Sequence, residues 1–356
     1  MINFFKEWIL NSPLQRITYA EYIQLALYHP QYGYYMRDKC KIGRDGDFIT
    51  SSNVSDIYGR SIAKWFYKQV KANKLKASIC EIGAGTGRFA NAFIDEWNKI
   101  STEPIHYFIL EASPHHRKLQ QDEIIFSERV KQIDSLMEIS PFEGLIFSNE
   151  LFDAFPVHVI EKQNGQLMEI MVTVENDQLA ESVVPLENEQ ILTFLKESGL
   201  NIKDGQRIEI PLQMEDMICS IANVLANGMV LTVDYGYTNE EWKKLWRREG
   251  SLRGYYQHQQ INNILLYPGE MDITSHVHFD AFINLGSKNG LQFINKWRQD
   301  EFLITSGILE DLQDHYDPNP FSEVSKRNRA IRSLIMPSGI SSSFHIILQE
   351  KEIRKK

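Results

Sequence analysis

The stretch Glu81-Ile82-Gly83-Ala84-Gly85-Thr86-Gly87 decides the fold of this 356-residue chain. It ends a short apolar run that begins at residue 78, and it precedes residues 87–97, whose apolar side chains recur at helical spacing. The glycines remove Cβ atoms where a ligand must lie against the backbone, and they permit a tight turn. The pattern therefore predicts a strand, a ligand-binding turn and a helix in succession.

The spacing of these glycines distinguishes between two classes of cofactor. A dinucleotide site prefers GxGxxG, in which a helix N-terminus faces a pyrophosphate. Here the spacing is GxGxG, and Glu81 stands two positions before the first glycine. A carboxylate there can receive the cationic amino-acid end of S-adenosylmethionine and would be a poor neighbour for pyrophosphate. The residues predicted to bind S-adenosylmethionine are Glu81, Gly83, Gly85 and Gly87. A dinucleotide site and a purely structural turn are the alternatives.

Strand and helix patterns continue to alternate after this turn. Apolar strands are predicted within 105–112, 130–134 and 144–150, and Ser113-Pro114 is a typical helix start. Repeated strand–helix units indicate a parallel sheet with right-handed crossovers. The chain is therefore predicted to be an α/β protein with a Rossmann-like sheet of the class I methyltransferase type.

The sheet is predicted to occupy only part of the chain. Residues 1–77 read as an N-terminal helical extension or lid, and residues 78–356 as the Rossmann-like core. The regular alternation breaks after the fourth strand, so inserted β/α elements that bind the acceptor are predicted at about 155–210 and 240–300. The pattern then resumes with a fifth strand ending at Asp234.

Smaller signals place individual elements. Thr18 and Glu21 form a plausible capping box for a helix that runs to Tyr28, after which a long ordered loop is predicted. Asn164-Gly165 is typical of a hairpin turn.

Acidic residues end the next two strands of the predicted core. Glu111 follows the glycine turn at about the distance expected for a carboxylate that hydrogen-bonds both ribose hydroxyls. Asp134 could approach the adenine amino group, and a helix-capping role is its alternative. Both residues are included in the predicted cofactor site.

The sequence SNELFDAFP, residues 148–156, follows the fourth strand. Ligands bind outside the carboxyl ends of the strands in open parallel sheets, so Glu150 and Asp153 fall where a methyl acceptor should lie. Asn149 is included in the predicted cofactor site. The segment is not the NPP[YF] type of DNA amino-methyltransferases, which disfavours a nucleic-acid base as acceptor.

The composition argues against several classes of protein. Lys and Arg total 38 against 47 Asp and Glu, a formal net charge of −9, so no general attraction to nucleic acid or anionic membrane is expected. No window approaches the ~18 uninterrupted apolar residues of a membrane span, and the start of the sequence lacks the features of a signal peptide. The chain is therefore predicted to be cytoplasmic, without nucleic-acid or membrane partners. Its apolar insertions are compatible with a homodimer.

No metal is expected. Cys40, Cys80 and Cys219 form no CxxC pair, which argues against a zinc site or a disulfide framework. His276 and His278 alternate on a predicted strand and would share one face. Because no third metal-ligating residue follows at a spacing typical of metal sites, these histidines are predicted to be structural or to contact substrate.

Several motifs together resemble the MidA family of S-adenosylmethionine-dependent methyltransferases. Besides the glycine turn, these motifs are YHP and GYY within 28–35, GDFITS at 46–51, NELFDAFPVH at 149–158, LRGYYQHQ at 252–259, PG at 268–269 and DITSHVHF at 272–279. The resemblance runs from about residue 17 to residue 349. It departs at Ala84 and Thr86, where the family often has Pro and Arg, and at His278, where it often has Asp.

The resemblance implies S-adenosylmethionine as donor and a protein arginine as acceptor, because the family contains the mitochondrial arginine methyltransferase that assists assembly of respiratory complex I. Glu150 and Asp153 would hold the guanidinium and accept its proton. Asp47, assigned to the cofactor site, and Asp272 could assist. The alternatives are a small-molecule methyltransferase, a non-catalytic cofactor-binding assembly factor and, more distantly, an NAD-dependent oxidoreductase.

Overall fold

The structure, a computed structural model, describes residues 1–38, 56–72, 74–312, 319–336 and 343–352. The helices in chain order are α1 (Ile2–Leu10), α2 (Tyr19–Tyr28), α3 (Ile57–Lys71), α4 (Arg88–Ile100), α5 (Pro114–Glu123), α6 (Glu189–Ser198), α7 (Leu212–Val224), α8 (Asn239–Trp242), α9 (Phe279–Lys288), α10 (Gln299–Ser306) and α11 (Glu323–Ile335). The strands are β1 (Arg16–Thr18), β2 (Ser78–Ile82), β3 (His106–Leu110), β4 (Val130–Ile133), β5 (Phe142–Asn149), β6 (His158–Gln163), β7 (Gln166–Glu175), β8 (Gln178–Pro185), β9 (Arg207–Ile210), β10 (Leu225–Tyr237), β11 (Arg253–Tyr256), β12 (Gln259–Ile261), β13 (Asp272–Thr274), β14 (Val277–His278), β15 (Gln292–Arg298) and β16 (Phe344–Lys351).

The chain divides into two compact units. The Rossmann unit consists of Ile49–Leu151, Ser220–Tyr235 and Gly286–Lys356, and the antiparallel unit consists of Met1–Phe48, Phe152–Cys219 and Gly236–Leu285. The predicted insertions overlap the second and third segments of the antiparallel unit, and the predicted N-terminal extension contributes to both units. A role for these segments in acceptor binding stays a prediction.

The Rossmann unit is built on one mostly parallel sheet. Its strand order is β15-β16-β10-β5-β2-β3-β4, and β16 runs antiparallel to its neighbours β10 and β15. The chain adds β3 and β4 on one side of β2, and β5 and β10 on the other side. Strand order therefore reverses at β2, and ligands of such sheets bind outside the carboxyl ends of the strands at that reversal. The predicted Rossmann-like fold is confirmed.

The core of this unit fixes helices α3 and α4 against the sheet. Phe89 of α4 stacks on Phe147 of β5, with ring centroids 4.4 Å apart, and Phe93 packs edge-on against Tyr107 of β3 at 5.6 Å. Gly59 of α3 lies close to α4, because a Cβ built there would be 2.9 Å from the Phe89 carbonyl oxygen. This packing holds the start of α4, where the glycine turn ends.

The antiparallel unit has its own core and its own sheets. One sheet has the order β1-β7-β6-β9 with β8 also paired to β7, and a small sheet has the order β12-β11-β13. The predicted hairpin at Asn164-Gly165 joins β6 to β7. Helix α2 begins with the predicted capping box, in which Thr18 accepts from the Glu21 N–H and the Glu21 carboxylate accepts from the Thr18 N–H. The short strand β1 was not predicted.

One sequence prediction about these elements needs revision, and another is only partly covered by the described residues. Strand β10 ends at Tyr237, three residues beyond the predicted end at Asp234, because Gly236 and Tyr237 still pair with β14. Part of the long loop predicted after Tyr28 falls within 39–55, outside the described residues. Among the described residues, no helix combines the length and the apolar character needed to cross a membrane.

Candidate active site

The glycine turn connects β2 to α4 through three left-handed residues. The φ angles of Gly83, Gly85 and Gly87 are 75°, 53° and 88°, a region that favours glycine. A Cβ at Gly87 would lie 2.8 Å from Ile124 Cδ1, so that glycine lets α4 pack closely. A Cβ at Gly85 would meet nothing within 4 Å. Gly85 therefore exposes its backbone to open space, as a ligand-binding turn requires.

Two side chains, Glu111 directly after β3 and Gln120 of α5, fix Gly85 in this conformation. Its N–H donates to Oε2 of Glu111 at 2.8 Å, and its carbonyl accepts from Nε2 of the buried Gln120 at 2.7 Å. The other oxygen of Glu111 accepts from the Ser113 N–H at 2.8 Å. A carboxylate offers about four acceptor positions, so Glu111 keeps capacity for ligand hydroxyls while it anchors the turn.

Glu81 is a buried carboxyl at the end of β2, and only 3% of the residue is exposed. The hydroxyl of Tyr107 donates to its Oε2 at 2.6 Å. Burial raises the pKa of Glu81 to about 8, the hydrogen bond from Tyr107 opposes this rise, and the charge of Glu111 adds to it. At neutral pH without a ligand, Glu81 is therefore mostly protonated.

Asn149 and Glu150 lie at the end of β5, the strand beside β2. The Asn149 Nδ2 donates to Oε1 of Glu150 at 3.0 Å, and the Glu150 N–H donates to the Val233 carbonyl at 2.9 Å. Glu150 has φ of 52°, a left-handed conformation that is uncommon for a residue with a side chain and that clusters at functional sites. The sheet thus brings Glu150 to the same edge as the glycine turn.

Comparison with known proteins identifies the family. The model of the family described as "Putative S-adenosyl-L-methionine-dependent methyltransferase" matches residues 61–296, well over half of the chain. The chain belongs to this family. The resemblance to MidA methyltransferases is thereby confirmed, and the predicted cofactor, S-adenosylmethionine, is the one that the family uses.

Individual relatives agree with this assignment. The protein from Drosophila melanogaster named "Protein arginine methyltransferase NDUFAF7 homolog, mitochondrial" is 24% identical over 303 residues, 77% of this chain and 67% of that protein. The Danio rerio "Protein arginine methyltransferase NDUFAF7, mitochondrial" is 23% identical over 359 residues, 92% of this chain and 82% of that protein. A crystal structure of a COG1565 superfamily member from Burkholderia thailandensis, bound to S-adenosyl-homocysteine, superposes with a TM-score of 0.89. It is 25% identical and covers 98% of this chain and 91% of that chain.

The residues of the methyltransferase fit its cofactor. Open space faces Gly85, a pre-positioned carboxylate stands at Glu111, and the buried Oδ1 of Asn149 has no hydrogen-bond partner among the described residues. Glu111 would receive the ribose hydroxyls and Glu81 the ammonium group. Bound S-adenosylmethionine supplies a methyl group made electrophilic by a positive sulfonium. The protein must then align the acceptor and exclude water.

The structure places one further predicted cofactor residue, Asp134, at the surface. Asp134 follows β4, its side chain is 87% exposed, and it forms an ion pair with Arg117 at 2.9 Å. This position favours a surface role over an adenine contact. Asp47 lies outside the described residues.

Asp153 belongs to the antiparallel unit, where a second carboxylate and several tyrosines accompany it. Its carbonyl accepts from the Ser275 N–H at 2.9 Å, and Asp272 accepts from the Tyr35 hydroxyl at 2.5 Å. Tyr255 stands opposite Asp272 in the β11–β13 pairing. Burial raises the pKa of Tyr35 well above its ordinary value, and the charges of Asp272 and Asp153 add to this. The unit therefore holds two buried carboxylates near tyrosine rings.

The prediction that His276 and His278 share a strand face is wrong, because His276 lies between β13 and β14. Its ring stacks on Tyr237 at 4.1 Å, whereas His278 stacks on Trp242 at 4.8 Å and hydrogen-bonds through Nε2 to a backbone carbonyl. Burial lowers the pKa of His276 to about 3 and that of His278 to about 4, so both are neutral at pH 7. Within the described ranges, no three His, Cys, Asp or Glu residues could hold a metal ion together.

Sequence reasoning missed three residues around the turn: Tyr58, Tyr107 and Gln120. The Tyr58 hydroxyl is buried, and the charges of Glu150 and Glu81 help to raise its pKa. In the register of β2 and β3, Tyr107 lies opposite Ile79, and Glu81 lies opposite Ile109. Tyr107 is therefore a diagonal neighbour of Glu81 on the adjacent strand, and its hydroxyl reaches the carboxyl group. Only the strand register carries this information, and no local motif does.

Glu111→Ala should weaken binding of S-adenosylhomocysteine about ten- to hundredfold, because it removes charge-assisted hydrogen bonds to ligand and releases the Gly85 N–H. Asp134→Ala, the matched control, should change affinity less than about threefold, since exposed ion pairs contribute little. Calorimetric titration measures both. Equal losses in the two variants would place Asp134 in the cofactor site and contradict this assignment.

The raised pKa of Glu81 also predicts how stability depends on pH. The unfolded carboxyl ionises above about pH 4.3, but the folded one keeps its proton until about pH 8. The folded state thus binds more protons, and the contribution of Glu81 to unfolding free energy falls as pH rises through this window. Urea denaturation at pH 5 to 8 should show wild type losing stability relative to Glu81→Gln, by at most about 1.4 kcal/mol per pH unit. A pH-independent difference between the two proteins would contradict the assignment.

Proposed function

We propose that this methyltransferase transfers methyl groups to the side chain of an arginine in a protein. The observation that carries the proposal is Glu150, a carboxylate held in a left-handed conformation at the end of β5, beside the strand that leads into the glycine turn. A guanidinium is protonated at pH 7, so an acceptor arginine requires carboxylates that localise its charge and take up the released proton.

Taken by itself, the antiparallel unit also holds groups of the kinds that bind a guanidinium. Asp153 and Asp272 are two buried carboxylates, and carboxylates bind guanidinium through paired hydrogen bonds. Tyr35 and Tyr255 add aromatic faces, which attract cations. The names of the relatives from Drosophila melanogaster and Danio rerio, both protein arginine methyltransferases, favour this acceptor over a small molecule.

The proposed residues have separate roles. Glu81, Gly83, Gly85, Gly87, Glu111 and Asn149 bind the cofactor, and Asp47 stays a predicted member of this set. Glu150 accepts the proton that the methyl acceptor releases. The role of Asp153 in holding the charge of the acceptor stays a prediction. The predicted cytoplasmic location and homodimer stay predictions, and the two relatives are named as mitochondrial proteins.

A labelled-methyl experiment tests the proposal. Lysate of the source cells is incubated with the protein and S-adenosylmethionine carrying a labelled methyl group, then separated into protein and small-molecule fractions. Label should enter the protein fraction and appear in methylarginine after acid hydrolysis. Label confined to small molecules would establish the small-molecule alternative. Cofactor binding without any transfer would establish the non-catalytic alternative.

A further inference from the structure

Glu81 and Tyr107 form a buried pair beneath the glycine turn. The Tyr107 hydroxyl donates to Glu81 Oε2 at 2.6 Å, and neither residue has appreciable exposed surface. The Tyr107 ring packs edge-on against Phe93 of α4, which fixes the direction of the hydroxyl. The pair is therefore held by contacts inside the unit, and neither member lies at the surface.

The surroundings of Glu81 contain no balancing cation in the part of the chain that the structure describes. The titratable groups that act on Glu81 are Tyr107, which donates the hydrogen bond, and the neighbouring Glu111. The charge of Glu81 in turn helps to raise the pKa of Tyr58 and of Cys80. A buried carboxyl without a cationic partner keeps its proton, because burial penalises the charged form. A ligand cation that reaches this position would reverse the balance and favour the ionised form.

We propose that Tyr107 is a positioning residue of the cofactor site, which holds Glu81 ready for the ammonium group of the cofactor, and that Glu81 releases its proton to solvent when this group binds. The inference rests on the proposed cofactor site. The O–H bond of the Glu81 carboxyl breaks, the proton passes to buffer, and the ligand ammonium takes over the balancing positive charge. Tyr107 donates to the carboxylate throughout, so it favours the ionised form that the ligand requires.

Two ligands distinguish proton release caused by the ammonium group from proton release caused by binding in general. S-adenosylhomocysteine carries the amino-acid end with its ammonium group, whereas 5′-methylthioadenosine has the adenosine part without it. Calorimetric titration at pH 7 in two buffers of different ionisation enthalpy counts the protons released. We expect about one proton for S-adenosylhomocysteine and none for 5′-methylthioadenosine.

Variants assign the proton to this pair. Glu81→Gln should abolish proton release. Tyr107→Phe keeps the ring and its packing, and it should weaken S-adenosylhomocysteine about ten- to hundredfold, the effect of one hydrogen bond to a charged group, without changing the affinity for 5′-methylthioadenosine. The pH at which the Tyr107→Phe variant gains affinity for S-adenosylhomocysteine should also move upward, because the variant lacks the hydrogen bond that lowers the pKa of Glu81. Tyr67→Phe, which removes a hydroxyl from a tyrosine of α3 packed near Trp97, serves as control and should leave both affinities unchanged.

Each other outcome overturns a different statement. Equal weakening of both ligands by Tyr107→Phe would show a purely structural role. Proton release that persists in Glu81→Gln, or none in wild type that binds S-adenosylhomocysteine, would refute the coupling while leaving the cofactor site intact. Folded wild type that binds neither ligand would overturn the proposed cofactor site itself.

Discussion

Gly85→Val is expected to abolish measurable binding of S-adenosylhomocysteine, a loss of at least about a hundredfold, in a protein that still folds. Gly85 has φ of 53°, and an L-residue there costs about 1–2 kcal/mol. Its Cβ and methyl groups would also enter the open space that faces the turn. Any relaxation of the backbone would break the hydrogen bond from the Gly85 N–H to Glu111. Both causes act on the same ligand surface, so we expect the loss to be nearly complete.

Gly290→Val is the matched control for this variant. Gly290 lies in the same unit, between α9 and β15, with φ of 84° and nothing within 4 Å of a built Cβ. It should therefore carry a similar backbone cost, measured as a similar fall in melting temperature, while binding stays at the wild-type level. If Gly85→Val bound S-adenosylhomocysteine with wild-type affinity, the glycine turn would have only a structural role.

Glu150→Gln is expected to lower the rate of methyl transfer about 10²- to 10⁴-fold, the usual contribution of a positioned general base. The amide keeps the size of the side chain but neither accepts the proton nor carries the charge that localises a guanidinium. The affinity for S-adenosylhomocysteine should stay within about threefold, because the cofactor contacts proposed above do not include this carboxylate. The rate is measured on the lysate fraction that wild type labels, and the affinity by calorimetry.

Glu143→Gln controls for the loss of a charge from the same strand. Glu143 lies near the start of β5, half-exposed, and its carboxylate is 3.8 Å from Lys76 Nζ. Its substitution should leave both rate and affinity unchanged. Full activity in Glu150→Gln would exclude Glu150 as the proton acceptor. The proposed general base would then have to be sought among the other carboxylates.

Local pattern alone was enough for much of this protein. The glycine spacing predicted a ligand-binding turn, because a tight left-handed turn needs glycine wherever it occurs. Glu81 ahead of the turn then predicted S-adenosylmethionine as the ligand, because its carboxylate suits a cationic group. The capping box at Thr18 and the hairpin at Asn164-Gly165 were also predicted, since their geometry depends on neighbours within a few residues. Alternation of strand and helix predicted the parallel sheet of the Rossmann unit for the same reason.

Contacts between distant segments could not be read in this way. Tyr107 meets Glu81 and Gln120 meets Gly85 only because strand register and helix packing bring them together, at separations of 26 and 35 residues. Asp134 resembled a cofactor residue by its place after a strand, but the nearby Arg117 makes it part of a surface ion pair. The sequence by itself determined the fold class and the cofactor, whose signals are local. Only the tertiary structure decided which buried groups set the charge of Glu81, because burial and pairing arise from packing across the whole unit.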